Sequence, residues 1–296
     1  MKIGIDLGGT KTEAILIDHN GKELKRKRIK TEKNYKGTIS WIVSIVKDFD
    51  SEFGICSSVG IGMPGAVSLD SALVKNANAI WLNNQPLKKD LEFEINRNIN
   101  LENDANCFAL SEAVDGAGKD SDVVFGVIIG TGVGGGVVVN KKVLQGRNNI
   151  CGEWGHITLP NKTDDEKRYV KDCYCGKSGC IETYLSGPGF SSGFNLRYSK
   201  DYDTHEIIKG CEENDKDCRE AINRYIDHLA RGLSIVCNIL DPDIIVLGGG
   251  MSNIDFIYEY IDDAIKKYIF SDFFHTKIVK NMHGDSGGVR GAAWLS

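Results

Sequence analysis

Three groups of residues in this sequence have types and spacings suited to chemistry. The first is Asn103-Asp104, which ends a short apolar run from Ile99 to Glu102 and precedes a helical pattern reaching Val114. A carboxylate there can accept the proton of a hydroxyl that attacks a phosphoryl group. The same pair caps a helix N-terminus, and the two roles are compatible because the helix end favours the ionised carboxylate. The second group is a pair of Gly-rich turns. Gly8-Gly9-Thr10-Lys11 lies near the start, and Gly130-Thr131-Gly132 with Gly134 follows 122 residues later. Backbone N–H groups in such turns cradle phosphate oxygens. Glycine is also the ordinary residue of tight turns, so one such turn carries little, whereas two suit a polyphosphate. Neither follows the GxxxxGK[ST] pattern. Asp6, beside the first turn, reads either as a carboxylate acting on Mg2+ through water or as a turn cap. Thr10 and Lys11 read as phosphate contacts or as plain turn residues.

The third group is Cys173, Cys175 and Cys180, with Gly176 and Gly179 between them. Three thiolates need one more ligand for tetrahedral zinc, and His156 is the nearest histidine upstream. Four protein ligands close a site, so such a metal is structural. It would fix the loop carrying Glu153, His156 and Glu182, all able to hydrogen-bond sugar hydroxyls. Free thiols and a disulfide are the alternatives.

The elements that must position these residues follow from periodicity. Ile3, Ile5 and Leu7 alternate, the first Gly turn follows, and Ala14 to Ile17 runs back out. Lys22 to Lys30 reads as a charged third strand, Ile39 to Phe49 as a helix, and Ser58 to Met63 as a buried strand ending at Pro64-Gly65. The pattern then restarts. With an offset of 122, IGIDLGGTKTEAILID aligns without a gap on FGVIIGTGVGGGVVVN. A repeat at half-chain spacing predicts an α/β protein of two similar mixed-sheet domains. The second half closes with helical stretches at Ile222–Leu240 and Ile254–Tyr268, separated by the buried strand of DPDIIVLGGG.

The chain has 296 residues, enough for two domains of ordinary size. The net charge of -5 offers no basic surplus for nucleic acid or an anionic membrane. A strand expected from the third residue leaves no room for a signal peptide, so a cytoplasmic location is expected. In that compartment the nine cysteines read first as thiols or metal ligands. Cys56, Cys107, Cys211, Cys218 and Cys237 read as buried small hydrophobes or inert surface thiols.

Taken together, these motifs resemble the ROK family of sugar kinases, within the actin-like ATPase (ribonuclease H-like) fold. DLGGTKTE and IGTGVGGGV resemble its two phosphate loops, ENDAN its catalytic motif, and GEWGH with CYCGKSGCIE its sugar and zinc signature. LGGGMSN resembles the adenosine-side motif, and HGDSGGVRGAAWL the closing helix that returns to the first domain. The resemblance covers essentially the whole chain. It implies domains at 1–117 (with about 285–296 packed back) and 118–284, with an interdomain cleft. It implies ATP, Mg2+ and structural Zn2+ as cofactors, with Asp104 as catalytic base and His156, Cys173, Cys175 and Cys180 as zinc ligands. ATP contacts fall on Asp6, Gly8, Gly9, Thr10, Lys11, Gly130, Thr131, Gly132, Gly134, Gly248, Gly249 and Gly250. Sugar contacts fall on Gly65, Asn78, Asn83, Asn103, Glu153, His156 and Glu182. The segment NKTDDEKRYVKD, part of a longer His156–Cys173 spacing than in some members, reads as charged and solvated. VKNANAIWLNNQPL resembles bacterial fructokinases, which points to fructose phosphorylated at its 6-hydroxyl, with N-acetylglucosamine, mannose or glucose as alternatives. Trp81 reads as a pocket wall or as core packing. A sugar-sensing regulator is the competing class, but such members carry an added N-terminal DNA-binding segment. A homodimer is expected from the resemblance.

Overall fold

The structure is a computed structural model that describes residues 1–168 and 171–295. The first sheet is built from β1 (Lys2–Leu7), β2 (Lys11–Ile17), β3 (Glu23–Lys30), β4 (Ser58–Met63) and, after the small ribbon of β5 (Ala66–Val67) and β6 (Val74–Lys75), β7 (Asn100–Asn103). Helix α1 (Tyr35–Phe53) follows β3, α2 (Leu87–Ile95) precedes β7, and α3 (Asp104–Val114) continues directly from it. The second sheet takes β8 (Val123–Ile129), β9 (Val133–Val139), β10 (Lys142–Val143), β11 (Ile244–Gly248) and β12 (Lys277–Lys280). Between β10 and β11 lie α4 (Asp164–Arg168), α5 (Glu182–Leu185), α6 (Gly187–Tyr198), α7 (Thr204–Glu212) and α8 (Lys216–Leu240). Helix α9 (Asp255–Ile265) joins β11 to β12, and α10 (Gly287–Trp294) closes the chain.

The repeat read from the sequence is a repeat of topology. The sheets have orders β3-β2-β1-β4-β7 and β10-β9-β8-β11-β12. In the first, β1 is antiparallel to β2 and parallel to β4, which is parallel to β7. In the second, β9 and β10 are antiparallel, and β8, β11 and β12 run parallel. The hairpin strands β1 and β2 span 2–7 and 11–17, and β9 starts and ends 122 residues after β2.

The chain clusters into two compact units: 1–120 with 136–151 and 282–296, and 121–135 with 152–281. A single cut after 117 would assign 136–151 to the second unit. They cluster with the first because the far end of β9 presses on α3: a Cβ on Gly136 would lie 2.8 Å from the Ala105 carbonyl oxygen.

In the first unit the alternation of β1 has the expected consequence. Ile3, Ile5 and Leu7 enter a core with Ile42, Val46 and Phe49 of α1. Ile15 and Ile17 of β2 pack instead with Val289 and Ala293 of α10. That helix lies flush on the sheet because glycine faces it, a Cβ on Gly4 falling 2.2 Å from the Val289 carbonyl oxygen. Asp115 fastens α10, accepting from Arg290 Nε (2.9 Å), Arg290 Nη2 (2.6 Å) and Trp294 Nε1 (3.0 Å). Glu112, fully buried, accepts the backbone N–H of Ala117, Met282 and His283. In the second unit the apolar stripe of α8 buries Ile222, Ile226, Leu229 and Leu233, and α9 buries Ile257, Ile261 and Ile265.

Cys56, Cys107, Cys211, Cys218 and Cys237 are all buried. Among the described residues no helix is long and apolar enough to cross a membrane.

The solvated reading of the segment 161–172 fits most of its described residues but needs correction at Glu166. Glu166, on its short helix α4, is 7% exposed and accepts from Arg231 Nη1 (3.0 Å), His228 Nε2 (2.8 Å) and the Thr163 N–H (2.8 Å). The hydrophilic composition hid a buried anion because its partners lie over sixty residues away. Residues 169 and 170 of that segment lie outside the described residues.

Candidate active site

The pair Asn103-Asp104 divides its two possible roles. Asn103 is the N-cap of α3 by backbone conformation (φ -64, ψ 146), and its Oδ1 accepts the Ala105 N–H at 2.9 Å. Its Nδ2 donates to the Gly65 carbonyl at 3.0 Å. Asp104 is the first helical residue, and its Oδ1 also accepts the Ala105 N–H, at 2.9 Å. The carboxylate therefore stands at the positive end of a helix, whose dipole favours a negative charge there. Gly65 has φ +80 and approaches Lys75 and Ala77 so closely that a Cβ would lie 2.4 Å from the Lys75 carbonyl oxygen. Only glycine can carry the chain through that position while presenting its carbonyl to Asn103.

Asp6, at the end of β1, has its carboxyl pushed up to about 7, first by burial and then by the charges of Asp104 and Glu13. The three carboxylates thus share one electrostatic neighbourhood. Glu13 is paired opposite Asp6 in the β1–β2 register and receives Arg28 Nη2 at 2.8 Å. The turn that follows is fixed from below: Thr31 donates its N–H to Thr10 O (2.9 Å) and its hydroxyl to Gly8 O (2.7 Å). Thr10 and Lys11 are exposed.

The two asparagines read as sugar contacts have different surroundings. Asn78 is exposed, and a Cβ on Gly9 would approach its Oδ1 to 3.7 Å. Asn83 spends both ends of its amide on Ala77, accepting from its N–H and donating to its carbonyl, each at 2.9 Å. It shapes the turn that presents Asn78. Trp81 packs against the first core and donates Nε1 to Thr38 Oγ1 at 3.2 Å, which is the core-packing reading.

In the second unit the loop carrying Trp154–His156, the turn after β8 and α5 are locked together. Trp154 donates Nε1 to Gly134 O at 3.0 Å, and its ring meets Phe125 edge-on. Gly155 sits where a Cβ would fall 2.3 Å from Val133 O. Glu182 Oε2 accepts the Val133 N–H at 3.0 Å, so one carboxylate braces the turn while its other oxygen lies 3.9 Å from Cys173 Sγ. Gly130 accepts at its carbonyl from the Gly187 N–H (2.8 Å), and a Cβ there would meet open space. A ligand can therefore approach this backbone closely. Thr131 and Glu153 are exposed. Gly249 takes φ +81 with a Cβ position 2.4 Å from Ile129 O, which brings the 248–250 turn against the end of β8.

The sulfur cluster is assembled. The ligand atoms of His156, Cys173, Cys175 and Cys180 all lie within 4.8 Å of one another. Cys175 Sγ and Cys180 Sγ are 3.7 Å apart, and Cys173 Sγ is 3.5 Å from His156 Nδ1. A tetrahedron with Zn–S near 2.3 Å and Zn–N near 2.0 Å has edges of about 3.8 Å (S–S) and about 3.5 Å (S–N), so the donor set fits that ion. The Lys177 N–H holds the Cys175 thiol below its ordinary pKa, toward the thiolate a metal needs. With Nδ1 turned to sulfur, His156 Nε2 is left facing the hydroxyl of Tyr174 at 3.0 Å. Sequence reasoning passed over Tyr174, Trp154 as a brace of the Gly turn, and the bonds of Glu102. A tyrosine between two of the cysteines and a tryptophan between two glycines were the available signals.

The model of the ROK family matches residues 2–296. A Vibrio parahaemolyticus protein named N-acetyl-D-glucosamine kinase is 40% identical over 299 residues, covering 100% of this chain and 99% of that protein. Its namesake from Pectobacterium carotovorum is 38% identical, with 100% and 98% covered. Among solved structures, the ROK hexokinase from Thermus thermophilus superposes with a TM-score of 0.88 at 27% identity, covering 99% of this chain and 97% of that one. A ROK glucokinase from Streptomyces griseus, solved with glucose and AMPPNP, gives 0.77 at 26% identity, with 99% and 97% covered.

Proposed function

The chain belongs to the ROK family and is a sugar kinase, and from that premise we propose that it transfers the γ-phosphoryl group of ATP to the 6-hydroxyl of N-acetyl-D-glucosamine. The observation that carries the substrate is the full-length 40% identity to a kinase named for that sugar. The fructose expectation rested on the segment from Val74 to Leu87. The weight of that segment falls because Asn83 is occupied with Ala77.

In the mechanism, the backbone turns at 8–11 and 130–134 take the phosphates, and Gly248–Gly250 flanks the adenosine. Glu153, His156 and Glu182 hold the sugar, with Asn78, Gly65 and Asn103, whose amide is spent on Ala105 and Gly65, shaping its surroundings. Asp104 hydrogen-bonds the 6-hydroxyl and takes its proton as the oxygen–phosphorus bond forms and the bond from phosphorus to the β,γ-bridging oxygen breaks, releasing ADP. Most of the acceleration comes from alignment and from fixed dipoles at the transferring group. Mg2+ bound with the nucleotide would offset phosphate charge, and Asp6, whose carboxyl is raised by burial and by the charges of Asp104 and Glu13, would serve that ion. His156, Cys173, Cys175 and Cys180 would hold zinc, and an imidazole so fixed would offer Nε2 to the sugar in place of Tyr174.

A coupled ADP-release assay across N-acetyl-D-glucosamine, fructose, mannose and glucose tests the reading. The expected result is the highest kcat/KM for N-acetyl-D-glucosamine. A higher value for fructose or another hexose would reassign the substrate within the same chemistry.

A further inference from the structure

Glu102 belongs neither to the phosphate turns nor to the sulfur cluster, yet it is 8% exposed and fully engaged beside Asp104. Its Oε1 accepts the Asn103 N–H at 2.8 Å and Asn106 Nδ2 at 2.9 Å; its Oε2 accepts Gln145 Nε2 at 2.6 Å. None of these donors carries charge. Burying an anion on neutral donors is costly, and an apolar side chain would fill the same space without that cost. Packing alone therefore does not explain a carboxylate here.

Gln145 comes from the loop after β10, and that loop is closed on itself and tied down twice. Cys151 N–H donates to Gln145 O at 3.3 Å, and Leu144 N–H to Val137 O at 2.8 Å. Asn149 Nδ2 donates to Val67 O at 3.2 Å. Val67 is two residues from Gly65, whose carbonyl accepts Asn103 Nδ2 at 3.0 Å. A circuit results: Asn103 to Glu102, to Gln145, through the loop to Asn149, to Val67, and through Gly65 back to Asn103. All of it lies within the first compact unit. The corner where β7 becomes α3 is thus gripped from both sides.

We infer that Glu102 and Gln145 are positioning residues for the phosphoryl transfer: their hydrogen bond fixes the direction in which Asn103 and Asp104 leave β7, and hence the aim of the base at the sugar hydroxyl. This rests on the reading of Asp104 as proton acceptor. Misplacement of a catalytic group by about 1 Å costs up to about 10²-fold in rate, so loosening this grip acts on kcat more than on binding.

The test is a reciprocal swap. Gln145→Glu sets two carboxylates face to face and is expected to lower kcat about 10-fold or more, with KM for N-acetyl-D-glucosamine and ATP within about twofold. Adding Glu102→Gln restores an amide–carboxylate pair in the reverse sense and is expected to bring kcat back to within about threefold of the parent. Gln145→Ala covers the case in which Gln145→Glu does not fold, and is expected to lower kcat about fivefold at unchanged KM. A parental kcat in Gln145→Ala or Gln145→Glu, or a loss that the double variant does not restore, overturns the inference. A fall in melting temperature without a fall in kcat also overturns it, because that is the signature of a merely structural pair. Full turnover in Asp104→Asn would instead sink the base assignment, so the two failures are separable.

Discussion

Two acidic sites in this protein, at Glu166 and at Asp6, are treated in opposite ways. In the second unit, burial pushes the Glu166 carboxyl up, but the hydrogen bonds from His228, Arg231 and the Thr163 N–H outweigh it and hold the group far below its ordinary value. The fold itself supplies the cation, Arg231, and the anion works for the fold. In the first unit, burial raises the Asp6 carboxyl and the charges of Asp104 and Glu13 raise it further, with Lys11 and Arg28 opposing too weakly to reverse the sign. There the fold concentrates negative charge around Asp6. An anion satisfied within the chain is structural; a carboxyl whose pKa its surroundings raise is suited to a positive charge from outside, which the proposed Mg2+ would supply.

That contrast can be broken by experiment. The largest effect is expected for Asp104→Asn, which should lower turnover by about 10³-fold while sugar and nucleotide affinity and the melting temperature hold; steady-state kinetics with calorimetric binding would check it, and near-normal turnover would remove the base. Glu166→Ala should do the reverse. It takes from Arg231 its buried partner, leaving Asp227 and the carbonyls of Pro160 and Asn161, and is expected to cost about 3 kcal/mol in urea unfolding, with kcat of the folded fraction little changed. The sign with pH follows. Because the folded Glu166 carboxyl titrates lower than the unfolded one, its contribution is complete above the unfolded value of about 4.5 and is lost as pH falls toward the folded one. Glu166→Gln should therefore flatten the acid limb of a stability–pH curve.

Asp6 has the opposite sign. Its folded value of about 7 lies above the unfolded 3.8, so its ionisation costs nothing below pH 4, and the cost grows to full size above pH 7. Asp6→Asn in nucleotide- and Mg2+-free protein should raise stability by about 1–3 kcal/mol at pH 8, have no effect at pH 3.5, and lower activity. A variant no more stable than the parent at pH 8 would show that Asp6 is satisfied internally after all. The mildest effect concerns the sulfur cluster, where the proposed zinc, and not a side chain, would match the thiolates. Metal analysis should find about one zinc per chain, and Cys180→Ser should lower that content and raise the sugar KM about 10-fold, with ATP KM less affected. Zinc-free parent protein with full activity would remove the cluster from the sugar site.

The readable part of the molecule was the part whose cause is local. The hairpins, their Gly turns and the repeat at 122 residues all reappear as strands in matching order, because alternation and turn chemistry act over a few residues. The cysteine spacing foretold an assembled ligand set for the same reason: two tight turns at Gly176 (φ +85) and Gly179 (φ +70) bring the thiols round. Glu166 misled because a charged, proline-free stretch looks the same whether its partner is water or an arginine far along the chain. Asn83 misled in the other direction, since an asparagine near a sugar motif and one clamping a turn are indistinguishable until the Ala77 backbone is placed.

By itself, then, the sequence determined the class of fold, the family and the identity of the groups able to do chemistry, because side-chain types and short spacings are written directly in it. Which of Asn103 and Asp104 caps the helix, which carboxylate is neutralised and which stays raised, and which side chains grip the Asp104 corner were decided only by tertiary structure. Those outcomes depend on contacts such as Glu102 with Gln145, 43 residues apart, and Arg231 with Glu166, 65 apart. No periodicity encodes pairs at that range; packing alone sets the distances on which hydrogen bonds and charge–charge energies depend.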